Sequence, residues 1–372
     1  MKKLKKRTNN DNKVFEIIFK SIIPIGLSVL LVIDGFGNGA NNIFRICMYM
    51  AQPQEFFSLF GMDEKIVSNI ENTGNKETNT TNIFSSNVES NIPDDILSLM
   101  YQAQETYTNS SNDGKIKECD YSIQNATSEF NGVYLRNTTL NHPVEISDYI
   151  NRKIYADIDK SKPVVLIYHT HASETYELLD RGYYTNDRST RSENEKENMI
   201  RVGEEICKTL EGKGYKTIHN KTIYDTEYDG AYERSYAEIS QIIKDNPSIQ
   251  IVLDIHRGTI YQKDGTRIKT VTTINNTKTA QILIISGCED GNVRDFPEWE
   301  KNLTFSLNLQ KQIVEDNPSL ARPIMLCSRR YNMHISPCAL QIEIGTDGNT
   351  LAEAVFSARL FALSLANLLG KL

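Results

Sequence analysis

The sequence predicts an α/β domain: a mostly parallel, twisted sheet flanked by helices, preceded by an N-terminal transmembrane helix and a polar stalk. Three observations predict it. Short β-branched apolar runs alternate with helical periodicity from about residue 131 to 372, as in successive βα units. An apolar stretch near the amino terminus follows a cluster of lysines. Between the two lies a segment dominated by Asn, Thr, Ser and Glu.

Lys2, Lys3, Lys5, Lys6 and Arg7 precede the largely apolar residues 14–33, which Glu16 and Lys20 interrupt and Pro24 would kink without abolishing a membrane helix. Twenty residues rise about 30 Å, enough to cross a bilayer core. The basic cluster keeps the amino terminus in the cytoplasm, so everything after about residue 36 is expected outside. A cleaved signal peptide is the alternative. No clear small-x-small site follows the apolar core, although 35–40 is rich in small residues, and an uncleaved anchor is expected. Residues 1–36 then form the basic tail and anchor, 37–130 a juxtamembrane segment and linker, and 131–372 the compact domain. Phe44, Phe56, Phe57, Leu59 and Phe60 fit a short amphipathic or stalk helix. Residues 71–93 read as a solvated linker with too little apolar surface to offset ordering entropy, and a second polar patch runs through 104–128.

In the compact domain, Gly132-Val133-Tyr134-Leu135 and 144–150 lead to a first strand at 163–168. A helix follows over about 193–212, with Ile200, Val202, Ile206 and Leu210 as its apolar stripe and Gly212 and Gly214 marking its end. Next come strand 215–219, helix 231–245, and strands 249–255 and 281–286. A helix at 298–315, strands at 323–327 and 339–344, and a last helix over 350–370 complete the series.

Residues 1–36 carry a net +4 out of a total of −7, which leaves the rest near −11 and argues against nucleic acid as ligand. The six cysteines show no CxxC pairing and no zinc-ribbon spacing.

The chemistry-bearing residues sit at strand ends. Strand 163–168 runs into His169-Thr170-His171-Ala172-Ser173-Glu174, strand 249–255 into His256, and strand 339–344 carries Glu343. Open α/β sheets place their chemistry at the carboxyl edge. Two histidines and a carboxylate there form the three-ligand set of a catalytic zinc site, which leaves a position for water. There is no HExxH motif, so a thermolysin-like helix site is excluded.

These residues carry a resemblance. The pattern resembles the zinc-dependent N-acetylmuramoyl-L-alanine amidases (amidase_3-like), and more closely the stage II sporulation protein P family. The shared stretches are the His-Thr-His-x-x-Glu turn at 169–174, Asp254-Ile255-His256-Arg257, Trp299-x-x-Asn302-Leu303, Arg322-Pro323-Ile324, Tyr331-Asn332, and Glu343-Ile344-Gly345 followed by Asn349-Thr350-Leu351-x-Glu353-Ala354. It covers about residues 131–372. Gly258-Thr259 and Met333 depart from the family pattern without touching a proposed ligand.

The resemblance implies zinc held by His171, Glu195 and His256, with Glu174, Glu193 and Glu197 as alternatives for the carboxylate. It implies Glu343 as general acid–base and Arg257 as an oxyanion stabiliser or a structural ion pair. His169 is expected behind the ligands or facing outward, Tyr331, Asn332 and His334 along the groove or, for the tyrosine, in core packing, and Trp299 as a packing anchor. His142 and His219 are expected to be ordinary structural or surface residues. The implied activity is hydrolysis of the amide between N-acetylmuramic acid and L-alanine of peptidoglycan, with cross-link endopeptidase activity beside it. The setting would be the sporulation septum during engulfment, with stage II sporulation proteins D and M as partners. Two other readings are a zinc endopeptidase acting only on stem-peptide cross-links and a non-catalytic glycan-binding scaffold.

Overall fold

The computed structural model describes residues 92–372. The expected anchor at 14–33, the juxtamembrane segment 37–70, most of the linker 71–93 and Cys47 lie outside the described residues.

Eight strands form the main sheet. They are β2 (Ser128–Phe130), β3 (Val133–Asn137), β4 (Pro163–Tyr168), β6 (Lys216–His219), β7 (Ile251–Gly258), β10 (Ile282–Gly287), β11 (Ile324–Cys327) and β12 (Cys338–Thr346), in the order β2-β3-β11-β10-β12-β7-β4-β6. Pairing is parallel except at β2/β3 and β10/β12. Apart from the edge strand β2, the sheet therefore consists of two parallel blocks of opposite sense that meet at β10/β12. β4, β7 and β12 belong to one block, and their carboxyl ends share one edge.

These strands read as continuous apolar runs because both faces are covered; Ile251 to Gly258 are all buried. Helices α3 (Met199–Gly212), α5 (Trp299–Asp316) and α6 (Leu351–Leu369) pack on the sheet, with α3 and α5 also against α6. In α3 the buried Ile200, Val202, Ile206 and Leu210 recur at helical spacing. The helix starts at Met199, later than its charged approach implied, because the Asn198 side chain caps Ile200 N at 3.0 Å. Helix α6 opens on a capping box: Thr350 Oγ1 accepts from Glu353 N at 3.2 Å, and Glu353 Oε2 accepts from Thr350 N at 3.0 Å. Long and apolar enough to cross a membrane, α6 is instead mostly buried within the domain.

A second sheet, in the order β5-β1-β8-β9, was not expected from sequence. It comprises β1 (Gly114–Cys119), β5 (Tyr183–Tyr184), β8 (Arg267–Ile274) and β9 (Thr277–Ala280). β8 and β9 form a hairpin whose turn residues Asn275 and Asn276 have φ of +50° and +58°. β1 lies inside the polar patch read as linker, and α1 (Asp94–Thr106) precedes it with Ile96 and Ala103 buried. The remaining helices are α2 (Ile146–Ile150) and α4 (Ala231–Asp245); α4 buries Ala231, Ser235 and Ile239 along one face. The five described cysteines are free thiols.

Candidate functional site

The site is assembled by two devices at the carboxyl edge of β4, β7 and β12. In the first, Asp254 on β7 accepts hydrogen bonds from Thr170 N (2.8 Å) and Thr170 Oγ1 (2.6 Å) just past the end of β4. This splice carries His171 over β7 to His256, and the two imidazole centroids lie 5.4 Å apart. In the second, Arg257 clamps the start of the long 169–198 connection. Its guanidinium donates to the carbonyls of Thr175, Thr190 (2.9 Å) and Gly258 (3.3 Å), and its backbone N donates to Glu174 Oε2 at 3.2 Å. Glu174 is thereby held 3.7 Å from His256 Nδ1. On β12, Glu343 is the register partner of His256 and is 3% exposed. The β12 register shifts just beyond it, where Gly345 has φ +64° and a Cβ would lie 2.6 Å from Asn349 Oδ1.

The structure thus brings together His171, His256 and Glu343 from three strand ends. It does not bring Glu195 to them. Glu195 is exposed on the turn before α3 and acts electrostatically on Lys221, while Glu197 pairs with Arg188 at 3.1 Å. The carboxylate beside the histidines is Glu174, because the Arg257 clamp folds its segment inward. Arg257 also differs from the oxyanion expectation: it is buried, and its donors are engaged by backbone carbonyls.

Two further groups at this edge had no motif in the sequence. Asp225, in the connection between β6 and α4, accepts from Ser173 Oγ (2.6 Å) and lies 3.6 Å from His171 Nδ1. Arg191 binds Asp225 at 2.6 Å and approaches Glu174 Oε1 at 3.9 Å, and its side chain is 35% exposed. Neither has a spacing rule to announce it, since each arrives on a separate loop. Tyr228 stacks on His171 at 4.7 Å with a 4° interplanar angle.

The electrostatics are those of an acidic pocket around two imidazoles. Burial alone would depress His256, but Asp254 (2.8 Å from Nε2), Glu174 and Glu343 outweigh it and raise its pKa to about 9. Burial pulls Asp225 upward, yet His171 and Ser173 bring it down to about 2. Behind the site, His169 Nδ1 faces the Ile255 carbonyl at 2.9 Å and His169 Nε2 meets His219 Nε2 at 2.9 Å. Nδ1 must donate to the carbonyl, so Nε2 accepts from His219. Burial lowers the two to about 4 and about 2, so the pair is neutral. His219 is therefore part of the support behind the site. Gly203 of α3 makes room for it, since a Cβ there would lie 2.6 Å from both rings.

Among the described residues, no group of three or more His, Cys, Asp or Glu side chains is closed around a common metal position. The chemistry of the donors nevertheless fits a divalent cation. A carboxylate faces one nitrogen of each ring, Asp225 at 3.6 Å from His171 Nδ1 and Asp254 at 2.8 Å from His256 Nε2, so the donors left to a cation are His171 Nε2 and His256 Nδ1, the latter 3.7 Å from Glu174 Oε2. The negative field that keeps a proton on His256 is also the field that a dication would answer.

The sequence model of the family described as Stage II sporulation protein P (SpoIIP) matches residues 56–366. Stage II sporulation protein P of Bacillus subtilis (strain 168) is 29% identical over 204 residues, which are 52% of this chain and 47% of that protein. The chain thus spans about half the length of the curated relative it matches. Among solved structures, the CwlD amidase from Clostridioides difficile in complex with the GerS lipoprotein is 12% identical, with 56% of this chain and 99% of that chain covered and a TM-score of 0.32. N-acetylmuramoyl-L-alanine amidase AmiC2 of Nostoc punctiforme is 13% identical, with 56% and 96% covered and a TM-score of 0.31. The Mycobacterium smegmatis amidase Ami1 is 10% identical, with 57% and 99% covered and a TM-score of 0.33. With a family match that takes in nearly all of the described residues, the chain belongs to the stage II sporulation protein P family.

Proposed function

We propose that this chain is a zinc-dependent peptidoglycan hydrolase that cleaves the amide between N-acetylmuramic acid and L-alanine. The observation that carries the reading is the convergence of His171, Glu174, His256 and Glu343 at one buried strand edge. His171, His256 and Glu174 would hold the cation, with Glu174 in the role that the resemblance gave to Glu195. The chemistry such a cation supplies is polarisation of the scissile carbonyl and a bound water whose pKa falls toward about 7.

The chain's own residues supply the rest. Asp254 fixes the His256 ring and Asp225 faces the His171 ring, as carboxylates behind ligand imidazoles do. Glu343 takes the proton of the attacking water on its carboxylate and returns it to the leaving amine nitrogen. Arg191, partly exposed beside Glu174, is the cation available to the developing oxyanion, whereas Arg257 is occupied. Cross-link endopeptidase activity at the same site, a single membrane span at 14–33 with a cytoplasmic amino terminus, action at the septum during engulfment, and work beside stage II sporulation proteins D and M complete the proposal. These rest on the amino-terminal sequence and on family membership.

Two measurements test it. Purified sacculi digested with the protein should yield stem peptides with free L-alanine amino termini and glycan with free lactyl groups by mass spectrometry. New ends confined to the cross-links would sink the amidase reading. Metal analysis should find about one zinc per chain, lost in His256→Ala and Glu174→Gln and retained in Glu195→Gln. Loss in Glu195→Gln alone would return the ligand role to Glu195.

A further inference from the structure

Tyr228, Tyr232 and Tyr236 recur at four-residue spacing, and the last two share a face of α4 about one turn apart, roughly 6 Å along the axis. Three rings from elsewhere in the chain face them. His171 stacks on Tyr228 at 4.7 Å and 4°, Tyr331 on Tyr232 at 5.2 Å and 29°, and His334 on Tyr236 at 4.9 Å and 15°. The result is a ladder of three stacked pairs that begins at a proposed ligand and runs outward along α4. Its outer rung is open, with Tyr236 38% exposed.

The loop carrying Tyr331 and His334 is held for this arrangement. Tyr331 and Asn332 are consecutive non-glycine residues at φ +42° and +59°, a left-handed conformation that is strained for L side chains. Asn332 Nδ2 offsets it by donating to Tyr232 O and Ser235 Oγ, both at 3.0 Å. From α5, Asn302 Nδ2 donates to the carbonyls of Met333 (3.1 Å), Ser336 (2.9 Å) and Ala339 (2.7 Å). Burial raises the Tyr232 and Tyr331 phenols well above the ordinary range, so both stay neutral.

We propose that this ladder is a subsite for the sugar rings of a glycan strand, leading it from the Tyr236–His334 rung to the catalytic edge at His171. The choice of glycan over peptide rests on the function proposed above and on chemistry. A pyranose presents an apolar C–H face and a polar rim, and half-buried tyrosines and histidines present the same pair of properties. One helical turn between rungs is close to the length of one sugar ring. A stem peptide would call for cations along the row to meet its carboxylates. The cations beside the row are largely engaged: Arg191, over the Tyr228 ring, is paired with Asp225 at 2.6 Å and Arg329 acts on Tyr331, while Arg330 is exposed on the same loop.

The test is binding of peptide-free glycan strands to the full chain by calorimetry, with free stem peptide as the comparison. Tyr331→Leu and Tyr236→Ala should each weaken glycan binding about tenfold, and Tyr331→Phe should retain it. A melting curve confirms that each variant folds; if Tyr331→Leu does not, the surface change Tyr236→Ala decides the question. Unchanged glycan affinity in the folded variants would overturn the subsite. So would variants that lose stem-peptide binding while keeping glycan. The outcomes separate from the amidase test. A chain that binds glycan through Tyr331 and Tyr236 but releases no peptides keeps the ladder and loses the amidase. A working amidase whose KM is indifferent to both substitutions does the reverse.

Discussion

Arg257 and Arg191 both reach Glu174, yet they are built for different work. Arg257 is 5% exposed and spends its guanidinium on carbonyls of the connection it holds. Arg191 keeps a partly exposed side chain over the Tyr228 ring, 5.3 Å from its centroid. Losing charge-assisted bonds that satisfy buried carbonyls costs about 1.5–3 kcal/mol each. Arg257→Ala should therefore lower the melting temperature by several degrees and lose activity with it. Arg191→Gln takes one charge from buried Asp225 but leaves its Ser173 bond, so it should lower the melting temperature less than Arg257→Ala and cut kcat about 10²-fold, the effect of removing one oxyanion donor. Calorimetry and steady-state peptide release check both; a stable, slow Arg257→Ala would reverse the assignment. At this scale His171, His256 and Glu343 were legible because each sits at or near the end of an apolar run. Glu174 was only one of four nearby glutamates until the clamp was visible.

Among elements, the connections on the far side of the sheet are tied by one carboxylate. Asp290, just after β10, accepts from Leu140 N, Asn141 Nδ2 and Ser328 Oγ, each at 2.7 Å, and so joins the exits of β3, β10 and β11. Burial would raise its pKa, but these donors bring it down to about 2 from 3.8. A carboxylate depressed on folding stabilises above its unfolded pKa and loses that contribution as pH falls through the folded one. The shift corresponds to about 2 kcal/mol. Asp290→Asn should be destabilised by about that amount at pH 7, and the gap to the parent should close between about pH 4 and pH 2. Urea melts across that range measure it; a gap independent of pH would mean that the carboxylate's charge is not what ties the loops.

On the scale of the whole molecule, the domain begins earlier than composition indicated. α1 buries Ile96 and Ala103, and Arg201 of α3 binds Asp95 at 2.6 Å. β1 pairs with β8 and β5, and Lys269 on β8 reaches Asp180 (2.8 Å) and Glu353 at the head of α6 (2.7 Å). A 131–372 fragment should melt at least about 5 °C below a 92–372 fragment, since even 1–2 kcal/mol moves a domain of this size by several degrees. Equal melting temperatures would make 94–130 an appendage. By itself the sequence determined most of the strands of the main sheet and the helices that cover it, but not their order or sense, because hydrophobic periodicity reports burial, a property each segment carries locally. It also determined which residue types stand at the strand ends. Only the tertiary structure decided that polar β1 joins a sheet with β8 about 150 residues later. The same holds for Glu174, which lies beside the histidines where Glu195 does not, and for Asp225 and Arg191, which complete the pocket. Those outcomes depend on contacts between loops far apart in the chain, such as Thr170 on Asp254 and Arg257 on Thr175 and Thr190, and no local pattern encodes them.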